Sequence, residues 1–204
     1  MTRLISTPAP TAARERILLA AATVWAADPS APLEVIAQAA GVGRATLHRY
    51  FASRGDLIRA AALSGIDALG ATLERAALFD MPAGDALDLL IALLVPFGDR
   101  LHFLLVTGDL LTDPELAEAE ATIDAPIRRL LDAAAAAGVL RADMPGAWRF
   151  RALESLLYAA WTAVAAGEVA RLDAPVLVRD AFRRGFGAEA RPEARPEARH
   201  EVQP

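Results

Sequence analysis

Alanine fills 48 of the 204 positions, and that bias does most to decide the class of fold. Alanine loses almost no side-chain entropy in a helix and packs weakly on a pleated sheet, so a chain this rich in it builds helices rather than strands. Hydrophobic residues make up 54% and charged residues 23%, enough apolar surface to bury a sizeable core. All 21 basic residues are arginine, a bias we assign to coding rather than mechanism. Cysteine is absent, which excludes disulfides, thiolate zinc sites and cysteine nucleophiles. The three histidines, His48, His102 and His200, lie far apart in sequence, so neither a metal site nor a cofactor is expected.

Apolar periodicity predicts an all-α chain of about nine helices. Residues 1–10, with Pro8 and Pro10, read as a flexible arm. Thr11 opens a helix to about Ala27 with Ile17, Ala21, Val24 and Trp25 on one face, and Asp28-Pro29 and Pro32 stop it. Leu33, Ile36, Ala37 and Ala40 fit a two-turn helix, closed where Gly41 can turn left-handed. Gly41-Val42-Gly43 forms a three-residue turn before a short helix from Arg44 to Phe51. Ser53 and Asp56 make a capping box that opens a long helix to about Leu78. Ala86–Val95, with leucine on nearly every face, reads as a buried helix ended by Pro96, and Phe97–Gly108 as another. Asp113-Pro114 opens a helix to about Ala137 that Pro126 should kink or split and Gly138 should end. Leu153, Leu156, Leu157, Ala160, Trp161 and Val164 form one long stripe. Val178, Ala181, Phe182, Gly185 and Phe186 form a stripe on the last helix. After Gly187 a mixed-charge Glu-Ala-Arg-Pro repeat reads as a disordered tail. The expected organisation is an arm (1–10), an N-terminal three-helix domain (11–54), a C-terminal helical bundle (55–187) and a tail (188–204).

Charge is unevenly spread. The net charge is -5, yet residues 1–54 carry +3 and residues 55–204 carry -8. A basic head on an acidic body suits a head that meets phosphates. Arg14 and Arg16 before the apolar run Ile17–Ala27 resemble a secretory signal, but Glu15 interrupts the basic region and the run keeps helical periodicity. A cytoplasmic location is expected. The longest uncharged stretch, Ser155–Gly167, is shorter than the roughly 20 residues a bilayer requires, so no membrane partner is expected.

A two-turn helix, a glycine turn and a second short helix make a helix-turn-helix, whose second helix lies in the DNA major groove. Leu47 and Phe51, four apart, can hold that helix from behind. The outward set is Arg44, Ala45, Thr46, His48, Arg49 and Tyr50, with Arg54 at the start of the next helix. Arg44 can donate a bidentate pair to guanine O6 and N7. Ala45 and the Thr46 methyl can touch a thymine methyl. His48, Arg49 and Tyr50 are donors for phosphate oxygens, and Arg54 adds a guanidinium where a helix N-terminus favours an anion. The alternative for His48 is a plain solvated surface residue.

The run Ile36-Ala-Gln-Ala-Ala-Gly-Val-Gly-Arg-Ala-Thr-Leu-His-Arg-Tyr-Phe-Ala-Ser-Arg-Gly-Asp-Leu57 resembles the TetR family of bacterial transcriptional regulators, and the likeness extends back to Ile17. Departures are His48 for the usual tyrosine, Arg54 for lysine, Gly43 for a common serine, Leu33 for threonine, and an acid, Glu34, near the DNA. The resemblance implies a homodimer on double-stranded DNA with a two-fold operator. A body of about six helices would dimerise through its last two long helices and enclose a pocket for a small hydrophobic or amphipathic effector. Effector binding would shift the helix that starts near Ser53 and relieve repression. Two-fold symmetry sets half-sites about 34–36 Å apart, or multiples of that.

Candidate pocket residues are Phe97, His102, Phe103, Trp148, Tyr158 and Trp161, each of which also fits an ordinary core position. Candidate dimer residues are Leu153, Leu156, Leu157, Ala160, Val164, Val178, Phe182 and Phe186, with packing inside one subunit as the alternative. Rival classes are a helical adaptor or structural protein without DNA binding, and a small all-helical enzyme. Against the enzyme, the chain has no nucleophile-elbow, dinucleotide or phosphate-loop signature, and no catalytic residue is assigned.

Overall fold

Capping chemistry sets where the helices start. The computed structural model describes residues 10–98 and 113–188. Among them are α1 (Pro10–Ala27), α2 (Leu33–Ala39), α3 (Arg44–Tyr50), α4 (Arg54–Ala76), α5 (Ala83–Leu94), α6 (Pro114–Ala136), α7 (Gly146–Ala165) and α8 (Ala174–Phe186). Short 3-10 turns span Leu78–Asp80 and Val95–Phe97. The Ser53 hydroxyl accepts from the Asp56 N–H at 3.1 Å, and the Asp56 carboxylate accepts from the Ser53 N–H at 3.0 Å, so the expected capping box opens α4. The Asp113 carboxylate accepts from the N–H groups of Glu115 and Leu116, with Pro114 in first position of α6. Gly41 and Gly138 adopt φ of 64° and 74°, the left-handed backbone that closes α2 and α6. Within the described residues the all-helical expectation holds, with one isolated bridge between Leu140 and Gly187. Most of the expected helix Phe97–Gly108, the arm, the tail, His102, Phe103 and His200 lie outside the described residues.

Pro126 does not split its helix: α6 runs unbroken through it. Ile127, Leu130 and Leu131, all buried just beyond, fasten the following turns to the core and offset the lost backbone bond.

Two apolar cores form. The head core gathers Ile17, Trp25, Ile36, Leu47, Phe51 and Leu57 from α1 to α4, extends along α4 to Ile66, and takes in Leu116 from the first turn of α6. Trp25 is fully buried, and its indole N–H donates to the Ala31 carbonyl at 3.0 Å. The body core gathers Leu87, Leu90, Ile91, Leu130, Phe150 and Phe182. Ile123 of α6 packs against both.

Half of the residues expected to dimerise turn into the subunit itself. Leu153, Leu157, Val178 and Phe182 are buried in the subunit's own core, and Leu156, Ala160, Val164 and Phe186 pack partly buried against it. The reason is supply of apolar surface. The leucine-rich α5 offers the α8 stripe a partner within the same chain, and the α7 stripe packs on α6, α8 and the Val95–Phe97 turn. The large hydrophobic side chains left in solvent along the described part of α7, α8 and the loop between them are Trp148, Tyr158, Leu172, Val176 and Leu177.

Carboxylates on α6 and α7 set an acid response. Burial pushes Glu120, Asp124 and Glu154 above their ordinary values, and Asp124 and Glu154 raise Glu120 further. These groups bind protons more readily folded than unfolded, so stability rises as pH falls through their folded values. Asp28, held down by the Ser30 hydroxyl, Asp113, by Arg59, and Asp143, by Arg141, act oppositely. Their contribution is complete above the ordinary value of 3.8 and fades as pH drops through their folded values. The thermal midpoint is therefore expected to rise from neutral pH into mild acid and fall in stronger acid. Glu120→Gln should raise the neutral-pH midpoint and flatten the first limb, as read by calorimetry across pH.

Candidate nucleic-acid interface

The head's shape follows from its short-range chemistry. Pro32 ends the α1–α2 loop, and α2 runs only to Ala39 before Gly41 reverses the chain. Val42 N–H donates to the Ala37 carbonyl, which closes the turn and aims α3 across α2. Leu47, at 0% exposure, and Phe51 anchor α3 in the head core. The opposite face then has to look outward. Arg44, Ala45, His48 and Arg49 are exposed, and Thr46 and Tyr50 are half-buried at its edge. The Arg49 guanidinium sits 5.4 Å from the centre of the Tyr50 ring. The side chain of Arg44 is 70% exposed and meets the Glu34 carboxylate across the two motif helices at 3.1 Å. An ion pair this exposed is worth about 0–1 kcal/mol and is screened by salt, so it leaves Arg44 available.

Arg54 departs from expectation. Its guanidinium donates to the carbonyls of Ala31, at 2.6 Å, and Pro29, and lies 4.6 Å from the centre of the Trp25 ring. It therefore braces the start of α4 against the α1–α2 loop instead of presenting a free guanidinium to an anion. Charge-assisted bonds of this kind contribute about 1.5–3 kcal/mol each. Asp28 shapes the same loop by accepting from the N–H and hydroxyl of Ser30.

Sequence reasoning missed two contacts. Arg14 of α1 stands 5.7 Å from the centre of the Phe51 ring, behind α3. Arg59 of α4 donates to Asp113 at 2.6 Å and to Glu115, fastening α4 to the start of α6. More than fifty residues separate Arg59 from its partners, and no local pattern signals such a pairing.

The body holds a largely apolar cavity of about 430 Å³ between α4, the Leu78–Asp80 turn, α5 and α6. Leu73, Leu78, Leu90, Ile123, Ile127 and Leu130 line it, with Glu74, Asp80, Phe79 and Arg129 among the remaining walls. The Arg129 guanidinium lies 4.0 Å from the centre of the Phe79 ring. The expected pocket aromatics are elsewhere. Trp148 and Tyr158 are 60% and 43% exposed, and Phe97 packs on the body core. Trp161 donates to the Val95 carbonyl at 2.9 Å and lines only a slot of about 50 Å³. Its ring lies so close to Gly98 that a Cβ there would come within 2.2 Å, so only glycine fits beside it. Among the described residues no group of three metal-binding side chains gathers, and no helix is long and apolar enough to cross a membrane.

A short helix with a basic outer face, held from behind in a small head and carried on an all-helical body, defines a helix-turn-helix DNA-binding protein. Residues 17–61 match the family model for bacterial regulatory proteins, tetR family. The chain is 36% identical over 154 residues to the HTH-type transcriptional repressor LfrR of Mycolicibacterium smegmatis, covering 76% of this chain and 80% of that protein. It belongs to the TetR family and is a DNA-binding transcriptional regulator, not an enzyme. Its fold is similar to the crystal structure of the TetR-like transcriptional regulator LfrR from Mycobacterium smegmatis in complex with proflavine. The TM-score is 0.75 at 32% identity, over 86% of this chain and 96% of that one. It is also similar to the TetR transcriptional regulator SCO0520 from Streptomyces coelicolor. There the TM-score is 0.58 at 28% identity, over 87% and 99% of the two chains.

Proposed function

We propose that the chain is a repressor that sits on a two-fold operator as a homodimer and leaves it when a small hydrophobic or amphipathic molecule fills the 430 Å³ cavity. The observation that carries the DNA half is α3 itself, anchored by Leu47 and Phe51 with Arg44, Ala45, His48 and Arg49 in solvent. In this reading Arg44 addresses guanine, and Ala45 and Thr46 address a thymine methyl. His48, Arg49 and Tyr50 hold phosphates, and Arg54 keeps the head rigid. The homodimer is supported by the apolar side chains that one subunit leaves uncovered near its last two helices, Tyr158, Leu172, Val176 and Leu177. A DNA partner supports a cytoplasmic location.

The sensing half follows from the cavity's position. It lies between α4, which runs out of the head, and α6, whose Leu116 is buried in the head core. A ligand acts only if it favours one separation of the two heads over another, and a wedge between these helices can do so. The relative LfrR has been crystallised in complex with proflavine, which makes proflavine the first probe of this cavity.

The test is a gel shift on duplex DNA from the protein's own upstream region. The complex should weaken steeply between low and moderate salt, as phosphate contacts require, and added proflavine should release it. Absence of a salt-sensitive complex overturns the operator reading. A complex unmoved by proflavine and by a wider panel of apolar compounds overturns the sensing reading alone.

A further inference from the structure

We infer that Glu34 sets the sequence selectivity of the reading head: its carboxylate, set against Arg44 across the α2–α3 turn, holds that guanidinium for a base edge and weakens the head's attraction for phosphate at large. The inference rests on the reading that α3 enters the major groove.

Glu34 lies in the first turn of α2, and Arg44 is the first residue of α3. Ile36 and Ala37 bury the inner face of α2, which leaves Glu34 and Val35 on the outer face beside α3. The Glu34 oxygen is 3.1 Å from Arg44 Nη1, with the two side chains 51% and 70% exposed. At that exposure the pair adds little to folding, so its consequence falls on what Arg44 meets next.

The guanidinium carries five N–H donors in a rigid fork. Engaging Nη1 with Glu34 leaves the Nε–Nη2 edge, two parallel donors of the kind that match guanine O6 and N7. A guanine edge is uncharged, so the neighbouring carboxylate repels it little. A phosphate is an anion, and Glu34 repels it at any distance within the roughly 8–10 Å screening length. The same carboxylate therefore costs non-specific binding more than base recognition. It also cancels one positive charge of residues 1–54, whose net charge is only +3.

The test uses the full chain and two duplexes of equal length, one selected from a random pool and one scrambled. At about 0.1 M salt, Glu34→Gln is expected to bind the scrambled duplex roughly three- to tenfold more tightly while the selected duplex changes less than about twofold. The salt slope on scrambled DNA should steepen by about one ion. Base preference should relax at the same base pair that Arg44→Ala relaxes. Glu34→Asp keeps the charge but shortens the reach, so it should retain weak scrambled binding and still relax that preference. Equal gains on both duplexes, or no change on either, overturn the inference and leave the head assignment standing. If Arg44→Ala leaves both affinities unchanged, the head assignment itself falls. Matching thermal midpoints of all variants show that the effects are on binding and not on folding.

Discussion

Truncating Phe182 to alanine is expected to destabilise the subunit by about 3–5 kcal/mol, because a fully buried ring leaves a void its neighbours cannot close. Phe182 has no exposed surface, stacks on Phe186 with ring centres 5.0 Å apart, and belongs to the body core. Denaturant unfolding should show the loss at every protein concentration. Leu177 is the contrasting site on the same helix, 53% exposed. Leu177→Glu should leave the subunit's own stability near that of the parent and shift sedimentation from dimer toward monomer. If Phe182→Ala instead splits a dimer of otherwise stable subunits, the placement of α8 is wrong.

Leu47→Ala should cost about 2–5 kcal/mol of stability and abolish DNA binding, although Leu47 faces the head core. It is fully buried between α3 and the rest of the head, and with Phe51 it fixes the direction in which Arg44 and His48 point. Far-ultraviolet circular dichroism should stay mostly helical, since the body core is built from other residues. Leu47→Met, which keeps the volume, should restore most of the DNA affinity. Full DNA binding by Leu47→Ala would show that α3 does not rely on this anchor.

The head was legible because its determinants are local. Gly41, the Ser53–Asp56 box and the Leu47–Phe51 spacing each act within a few residues, and each is found where periodicity and capping rules put it. Arg54 was misread because its partners, Pro29 and Ala31, lie across the head and not along the helix. The Glu34 charge was visible, but its closeness to Arg44 depends on how two helices cross. In the body, a stripe announces only that a face will be buried. Which surface buries it is a question of tertiary packing, and Leu153 and Phe182 found theirs inside the subunit. The cavity is lined by leucines and isoleucines from three helices, whereas Trp148, an aromatic expected there, stands in solvent.

Ile123 supports the head on one side and the body on the other, and it is also part of the cavity wall. Its Cγ2 lies 3.7 Å from where a side chain on Gly70 of α4 would begin, an ordinary contact distance, and both residues line the cavity. If the cavity is the sensor, it and the reading head share Ile123 as a common wall, and a guest that displaces this side chain is expected to shift the footing of the head in the same movement.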